Sequence, residues 1–283
     1  QKVLERTYAS FSTHGGCCAS VVAGIVEELA EQYGYPYNQI DLSSCLREGE
    51  NTIAIHTFYH GLINRVWQSG DRRHGFICDL VVDGETLLSS DESFSVATHT
   101  GFTEMGVCGY QTQFLERYDS RAPEVGFEQP DFDDSSWVPA TVCKHADHTL
   151  TPQQSAMLTF EEISPVTVQA HGNRLLYDFG SNYVGYLWVK ACGHGGDRVI
   201  LRCAQELNED GTLRHNLRAN CTYEEEWILS DGECELSQYD YKAFRYFEIV
   251  GDAVPTAVKV VHTNLPTASS FHCDNETLNW IYD

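Results

Sequence analysis

The stretch Tyr177-Asp178-Phe179-Gly180-Ser181-Asn182-Tyr183-Val184-Gly185-Tyr186-Leu187-Trp188-Val189 constrains the fold more than any other. From Tyr183 onward its bulky residues are aromatic or β-branched. Such side chains suit a pleated, half-buried surface and lose rotamer freedom in a helix. Gly180 and Gly185 are positions where a backbone turns or bulges at little cost. The stretch predicts a strand, a turn at Gly180-Ser181-Asn182, and a second strand. The residues after Val189 also read as strand and turn. Those before Tyr177 read as a separate domain.

Short strands separated by Gly and Asp turns continue through most of the chain. Val3 to Phe11 reads as a strand. Val21, Val22, Ile25, Val26 and Leu29 recur at helical spacing, but Gly24 interrupts them, and a strand from Ala19 to Glu27 is the alternative. Tyr37 to Leu42 leads through Glu48-Gly49-Glu50-Asn51 into an alternating strand, Thr52 to Thr57, which predicts a hairpin. Residues 60–75 form a polar loop. Phe76 to Val82 and Glu85 to Ser89 flank Asp83-Gly84, the strongest short hairpin signal in the chain. Gly193-His194-Gly195-Gly196-Asp197 sits between two strands and reads as a turn. The regular spacing of these signals, without a convincing long helix, predicts all-β sandwich architecture. The 283 residues suffice for two domains.

Charge narrows the partners. The formal net charge is −23, and no basic stripe exists to displace counterions from a polyphosphate, so a nucleic-acid partner is excluded. No apolar run reaches the length of a membrane span. Eleven cysteines at irregular spacing, with no Cys-x-x-Cys pair, fit neither a disulfide scaffold nor a zinc site. Most lie in apolar surroundings, which predicts small core residues and a reducing, cytoplasmic location.

Several segments resemble bacterial α-L-rhamnosidases (glycoside hydrolase family 78). The Tyr177–Val189 stretch resembles the start of their concanavalin-like sandwich. Gln205-Glu206-Leu207-Asn208-Glu209-Asp210-Gly211-Thr212-Leu213, Tyr239 to Ile249, and Phe271 to Tyr282 come next in the family's order. Upstream, Asp41 to Ile55, Asp91 to Val96, Tyr118-Asp119-Ser120-Arg121 and Asp131 to Trp137 resemble the jelly-roll domain. The resemblance implies a jelly roll over residues 1–155 and a concanavalin-like sandwich over 156–265. It implies a linker over 266–283 that opens an (α/α)₆ catalytic barrel the chain lacks, so the chain is expected to be a fragment of a bacterial protein. The parent would hydrolyse terminal α-L-rhamnose from glycosides with inversion.

Glycoside hydrolysis needs two carboxylates about the scissile bond. The family's pair lies on the barrel, so no catalytic residue is assigned here. Glu206, beside the Asp210-Gly211 turn and placed to reach the barrel interface or a sugar, and Trp67, in the polar loop, are the candidate sugar-binding residues, though Glu206 suits better a strand-end acid bonded to backbone. Tyr59, Tyr110 and Tyr118 also lie near predicted loops. Arg245 is placed to meet a carboxylate bidentately. Asp131, Asp133 and Asp134 cluster as turn caps. The resemblance allows calcium on such a module, but no ligand set maps onto the sequence, so no cofactor or metal site is assigned. His56 reads as a strand side chain. Expected partners are L-rhamnose-containing carbohydrate and the barrel in cis. The competing readings are a stand-alone carbohydrate-binding or adhesion module, and the front end of another glycoside hydrolase.

Overall fold

The computed structural model describes residues 7–10, 19–24, 35–49, 51–57, 75–108, 113–142, 150–153, 159–217, 221–264 and 269–282. Among them regular structure is strand except for one short helix, and all-β architecture holds. The first strands are β1 (Thr7–Ser10), β2 (Ala19–Gly24), β3 (Tyr35–Asp41), β4 (Ala54–Thr57), β5 (Asp79–Val82), β6 (Glu85–Ser89) and β7 (Ser95–Val96). After them come β8 (Phe102–Cys108), β9 (Gln113–Asp119), β10 (Val138–Pro139) and β11 (Leu150–Pro152). The remaining strands are β12 (Thr159–Ile163), β13 (Thr167–His171), β14 (Arg174–Gly193), β15 (Arg198–Ala204), β16 (Tyr223–Ile228), β17 (Gly232–Ser237), β18 (Lys242–Val250) and β19 (Val254–Asn264), and a short helix α1 (Glu276–Tyr282) ends the described chain.

One five-stranded sheet, ordered β11-β3-β2-β5-β6, is the largest formed by N-terminal strands alone among the described residues. The Asp83-Gly84 hairpin forms as the sequence predicts. Both residues have positive φ, 50° and 85°, the turn geometry whose twist matches that of the flanking strands. Strand β2 settles the ambiguous segment in favour of β structure as far as Gly24; the remainder lies outside the described residues. The predicted β3–β4 hairpin is corrected. Asn51 does close the intervening loop, accepting the Arg47 N–H at 3.0 Å and donating to the carbonyls of Arg47 and Gly49, both at 2.9 Å. The strands then diverge: β3 pairs with β2 and β11, whereas β4 pairs with β1. A turn fixes the reversal of the chain but not which edge each strand finds.

The Tyr177–Val189 prediction needs a larger correction. The segment lies in one continuous strand of 20 residues, β14, not in two strands about a turn. Gly180 keeps its positive φ, 82°, but the irregularity is absorbed as a bulge. Five β14 steps, Asp178 to Tyr183, lie opposite two on β18, Tyr246 to Phe244. The bulge lets β14 change neighbours. Arg174–Asp178 lies between β13 and β18, whereas Gly185–Cys192 lies beside β19 and, from Trp188 on, also beside β17. A strand that switches sheets through a bulge is a corner of a sandwich. One layer therefore runs β13-β14-β18-β15-β16-β9-β8 and the other β12-β19-β14-β17.

The core lies between these layers. Phe179, Leu187, Val189, Val199, Leu201, Trp227, Leu236, Phe244, Phe247, Ile249 and Val260 are all buried there. Each fully buried side chain of this size contributes about 1.5–3 kcal/mol. Strands β8 and β9 join this layer from far upstream, β9 running parallel to β16 with Tyr118 opposite Trp227. Backbone pairing thus ties residues 102–119 to the later sandwich. A separate, smaller core gathers Leu42, Cys78 and Leu80 under Phe76 and Phe94 in the N-terminal part.

Candidate functional site

Trp67, Tyr59, Tyr110, His60 and the histidines at 145 and 148 lie outside the described residues. Glu206 is exposed at the mouth of a small hairpin closed by the Leu207–Leu213 bridge. Its carbonyl accepts the Arg214 N–H at 3.1 Å, and its carboxylate meets the Arg214 guanidinium at 2.5 Å. Tyr118 is buried, stacked on Phe102 with ring centroids 4.5 Å apart. It therefore offers no ring face to a sugar.

The bidentate arginine forms as expected, and its partner lies in the organising strand. Arg245 Nε and Nη2 donate to the Asp178 carboxylate at 2.7 and 2.8 Å. Asp178 Oδ1 also accepts the Gly180 N–H at 2.7 Å. The pair thus pins the β14 bulge to β18, and the guanidinium holds the Asp178 carboxyl below its usual range. Arg121 grips Asp119 in the same forked manner at 2.9 and 2.8 Å. Both arginines are structural.

The aspartates that carry the resemblance cap turns. Asp41, Asp91, Asp133 and Asp210 each accept the backbone N–H two residues on, from Ser43, Ser93, Ser135 and Thr212, at 2.8–3.0 Å. These bonds, to hydroxyl and backbone, hold each carboxyl below the ordinary value. Among the described residues no group of three or more Asp, Glu, His or Cys side chains is arranged to hold a metal ion. The final motif is a helix cap. Asn275 Oδ1 accepts the N–H groups of Thr277 and Leu278 at 3.0 and 3.2 Å, and Asn279 closes both backbone groups of Cys273 at 2.8 Å.

Nothing in the local sequence marks a polar cluster that lies inside the sandwich. Tyr223-Glu224-Glu225-Glu226-Trp227 reads as a run of surface acids, yet Glu225 and Glu226 are buried. Glu225 points inward with Trp227, the period-2 alternation of its own strand. There it meets Lys242, 0% exposed, at 2.9 Å. Lys242 also donates to the Asp240 carbonyl at 3.1 Å. Gln238 donates to Glu225 and accepts the Leu187 N–H at 2.9 Å, bridging the two layers. Glu116 on β9 gives its N–H to Glu225 at 3.1 Å, and its carboxyl accepts the N–H groups of Tyr239 and Asp240 at 3.1 and 2.8 Å. Burial, then the adjacent Glu225, pushes the Glu116 carboxyl up to about 8 despite Lys242. Burial pulls the Lys242 ammonium down, but Glu225, Glu116 and Asp240 outweigh it and hold it above its ordinary value.

Tyr239 links this cluster to a second one. Its hydroxyl meets His56 Nδ1 on β4, and its ring lies edge-on to Phe102, centroids 4.7 Å apart. His56 stacks on His99 at 5.1 Å, with Phe127 and Phe102 closing the sides. Burial, then His99, lowers the His56 imidazole to about 4. Burial also lowers His99, partly offset by Glu124 and Glu128. Both histidines therefore fold neutral. The share of stability that rests on neutral His56 is complete above pH 6.5 and is lost as pH falls through that value toward 4, and His99 acts in the same direction. Chemical denaturation on the acid side should accordingly show a falling midpoint over that window, and His56→Gln should flatten part of the fall.

These features define a class: a two-layer β-sandwich of concanavalin-like build with a second set of strands upstream, held by capping acids and forked arginines. The comparisons agree with that class. Residues 168–265 match the family model described as the bacterial alpha-L-rhamnosidase concanavalin-like domain, and residues 29–162 match the alpha-L-rhamnosidase N-terminal domain. The chain belongs to the α-L-rhamnosidase family, of which it carries these two domains. An alpha-L-rhamnosidase of Streptomyces avermitilis is 24% identical over 87% of this chain and 25% of its own length. One from Alteromonas sp. is 28% identical over 59% of this chain and 20% of its own. The chain thus spans about a quarter of the length of such relatives. The GH78 rhamnosidase structure of Bacillus sp. GL1 shares the fold with a TM-score of 0.75 at 11% identity, over 97% of this chain and 55% of that one. The Streptomyces avermitilis alpha-L-rhamnosidase complexed with L-rhamnose aligns with a TM-score of 0.66 at 21% identity, over 98% and 30%.

Proposed function

We propose that this chain is the non-catalytic sandwich portion of a bacterial α-L-rhamnosidase that releases terminal α-L-rhamnose from glycosides. The two domains act as a scaffold for a helical catalytic barrel in cis and offer carbohydrate a secondary surface. The observation that carries the reading is helix α1. It comes after the second sandwich and buries none of its residues. Trp280 is 78% exposed and Ile281 65%, with Leu278 and Tyr282 also open. A helix this short and this apolar on its outside is stable only against a further layer. The two-domain match over a quarter of the relatives' length points the same way.

Glu206, with its exposed carboxylate, and Trp67 are the residues we assign to sugar contact. A reducing, cytoplasmic location is supported by eight free cysteines among the described residues. No helix among those residues is long and apolar enough to cross a membrane.

The test uses two proteins. This chain alone should release no phenol from an aryl α-L-rhamnoside, while the natural full-length protein should. Turnover by the short chain would refute the non-catalytic reading. Inactivity of the full-length protein on every rhamnoside would refute the substrate. Calorimetric titration with L-rhamnose, first with calcium and then with chelator, reads the sugar surface separately. Saturable heat lost in Glu206→Ala or Trp67→Ala would support it, and no heat under either condition would leave these domains as scaffold alone.

A further inference from the structure

One edge of the sandwich is left open, while the other described edges of its layers are guarded. An edge strand exposes backbone N–H and C=O groups to any further strand, and charge, proline or a bulge usually blocks that pairing. β12 carries Glu161 and Glu162, β17 carries Glu233 and Glu235, and β8 carries Glu104 beside a bulge. β13 has none of these devices. Thr167-Val168-Gln169-Ala170-His171 contains no proline, lysine or acid, pairs with β14 in unbroken register, and is exposed at every residue.

The hairpin that makes β13 also fixes what its free edge presents. Gly172, at φ 64°, opens the two-residue turn that sets His171 opposite Arg174. The closing pair of such a turn exchanges both of its hydrogen bonds. Alternation then directs the backbone groups of Thr167, Gln169 and His171 to β14 and those of Val168 and Ala170 outward. The side chains of Val168 and Ala170 stand beside Tyr177 and Leu175, on the core side of the sheet. Yet Val168 is 53% exposed, and Val166 before it 65%. The edge therefore offers free backbone groups together with an uncovered strip of core.

We propose that a second copy of this chain adds to β13, antiparallel, across a two-fold axis through Gln169. In that register Val168 and Ala170 of one copy face Ala170 and Val168 of the other as doubly hydrogen-bonded pairs. Their side chains lie together on the core side and cover one another. Thr167 of each copy faces His171 of the other, and the same line runs on to Asp178 of one copy and Arg174 of the other, opposite in charge. The stretch from Ile163 to Tyr177 is free of acids, so no carboxylates collide. A second copy fits this edge because the strand is complementary to itself, the condition for a two-fold interface.

Two edges of five residues fall short of the roughly 1,200 Å² of a standard interface, and each copy carries −23. The dimer is therefore weak and strengthens as salt screens the repulsion. Sedimentation equilibrium of the whole chain should show reversible dimerisation that tightens several-fold from low to high salt. Val168→Pro removes an outward N–H from each copy and no bond to β14. It should keep the thermal midpoint and weaken association about tenfold or more. Gln169→Cys puts two thiols on the axis, where a non-hydrogen-bonded pair has its Cα atoms about 4.5 Å apart, a span a disulfide accepts. Oxidised glutathione should link this variant covalently, but not the wild type or Thr167→Cys, whose thiols lie off the axis. A wild type that is monomeric at every concentration and salt would overturn the proposal, as would a dimer that Val168→Pro leaves intact. A natural full-length protein that stays monomeric with its β13 amides protected from exchange would put a segment in cis at this edge, and overturns it too. Should Val168→Pro not fold, the cross-link decides: equal yields from Gln169→Cys and Thr167→Cys would refute the register.

Discussion

Replacing Lys242 by methionine should destabilise the protein by about 3–5 kcal/mol at neutral pH, because it removes one member of a buried ion pair. Methionine nearly matches the volume of the lysine stem, so packing changes little. What is lost is the cation 2.9 Å from Glu225, inside the sandwich and fully buried. Glu225, Glu116 and Asp240 then face one another without it. The deficit should narrow as acid neutralises the carboxyls left behind. Urea denaturation at neutral and at acid pH reads both effects. The double variant Lys242→Met with Glu225→Leu should recover much of the loss, since a buried pair replaced by apolar residues is often close to neutral. A loss below about 1 kcal/mol in the single variant would mean that the pair is solvated and that the cluster does not organise the core.

Truncating Trp227 to alanine should cost a further, independent loss of about 3–5 kcal/mol, as for other fully buried large aromatics. Trp227 is 0% exposed at the centre of the main core. It lies opposite Tyr118 on β9 and Val199 on β15, so it fills the junction between the upstream strands and the sandwich. Its indole N–H donates to Ser120 Oγ at 2.5 Å, a bond that also ties the end of β9 to β16. Trp227→Phe keeps a ring and drops the N–H, and should recover more than half of the loss. The thermal midpoints of the three proteins check the order. If phenylalanine proves as damaging as alanine, the hydrogen bond and not the packed volume carries the energy.

Much of the fold is legible in the chain because it is written at short range. Asp83-Gly84 specifies its own turn through the φ angles that Gly and Asp tolerate. The acids of the resembling motifs cap turns two residues away, a distance the local sequence sets.

The candidate site is far less legible. Arg245 advertises a carboxylate partner, but that the partner is Asp178, 67 residues away, depends on the register of β14 against β18. Glu225 and Lys242 carry no local mark of burial. A strand of three glutamates between Tyr223 and Trp227 alternates correctly whichever face is buried, and only the arrival of β9 and β15 on either side decides that Glu225 lies in the core. The continuous path of β14 is hidden for a similar reason, since Gly180-Ser181-Asn182 permits a turn as readily as a bulge.

The sequence by itself determined most strand-forming segments, the short capped turns and the family, because each rests on dihedral preferences or on side chains within a few residues of one another. The tertiary structure alone decided which edges pair, that β8 and β9 complete the later sandwich, and that Glu116, Glu225, Lys242, Tyr239 and His56 meet. Those outcomes turn on long-range register and on the competition between desolvation and pairing, which is settled only once the layers have closed and water has left.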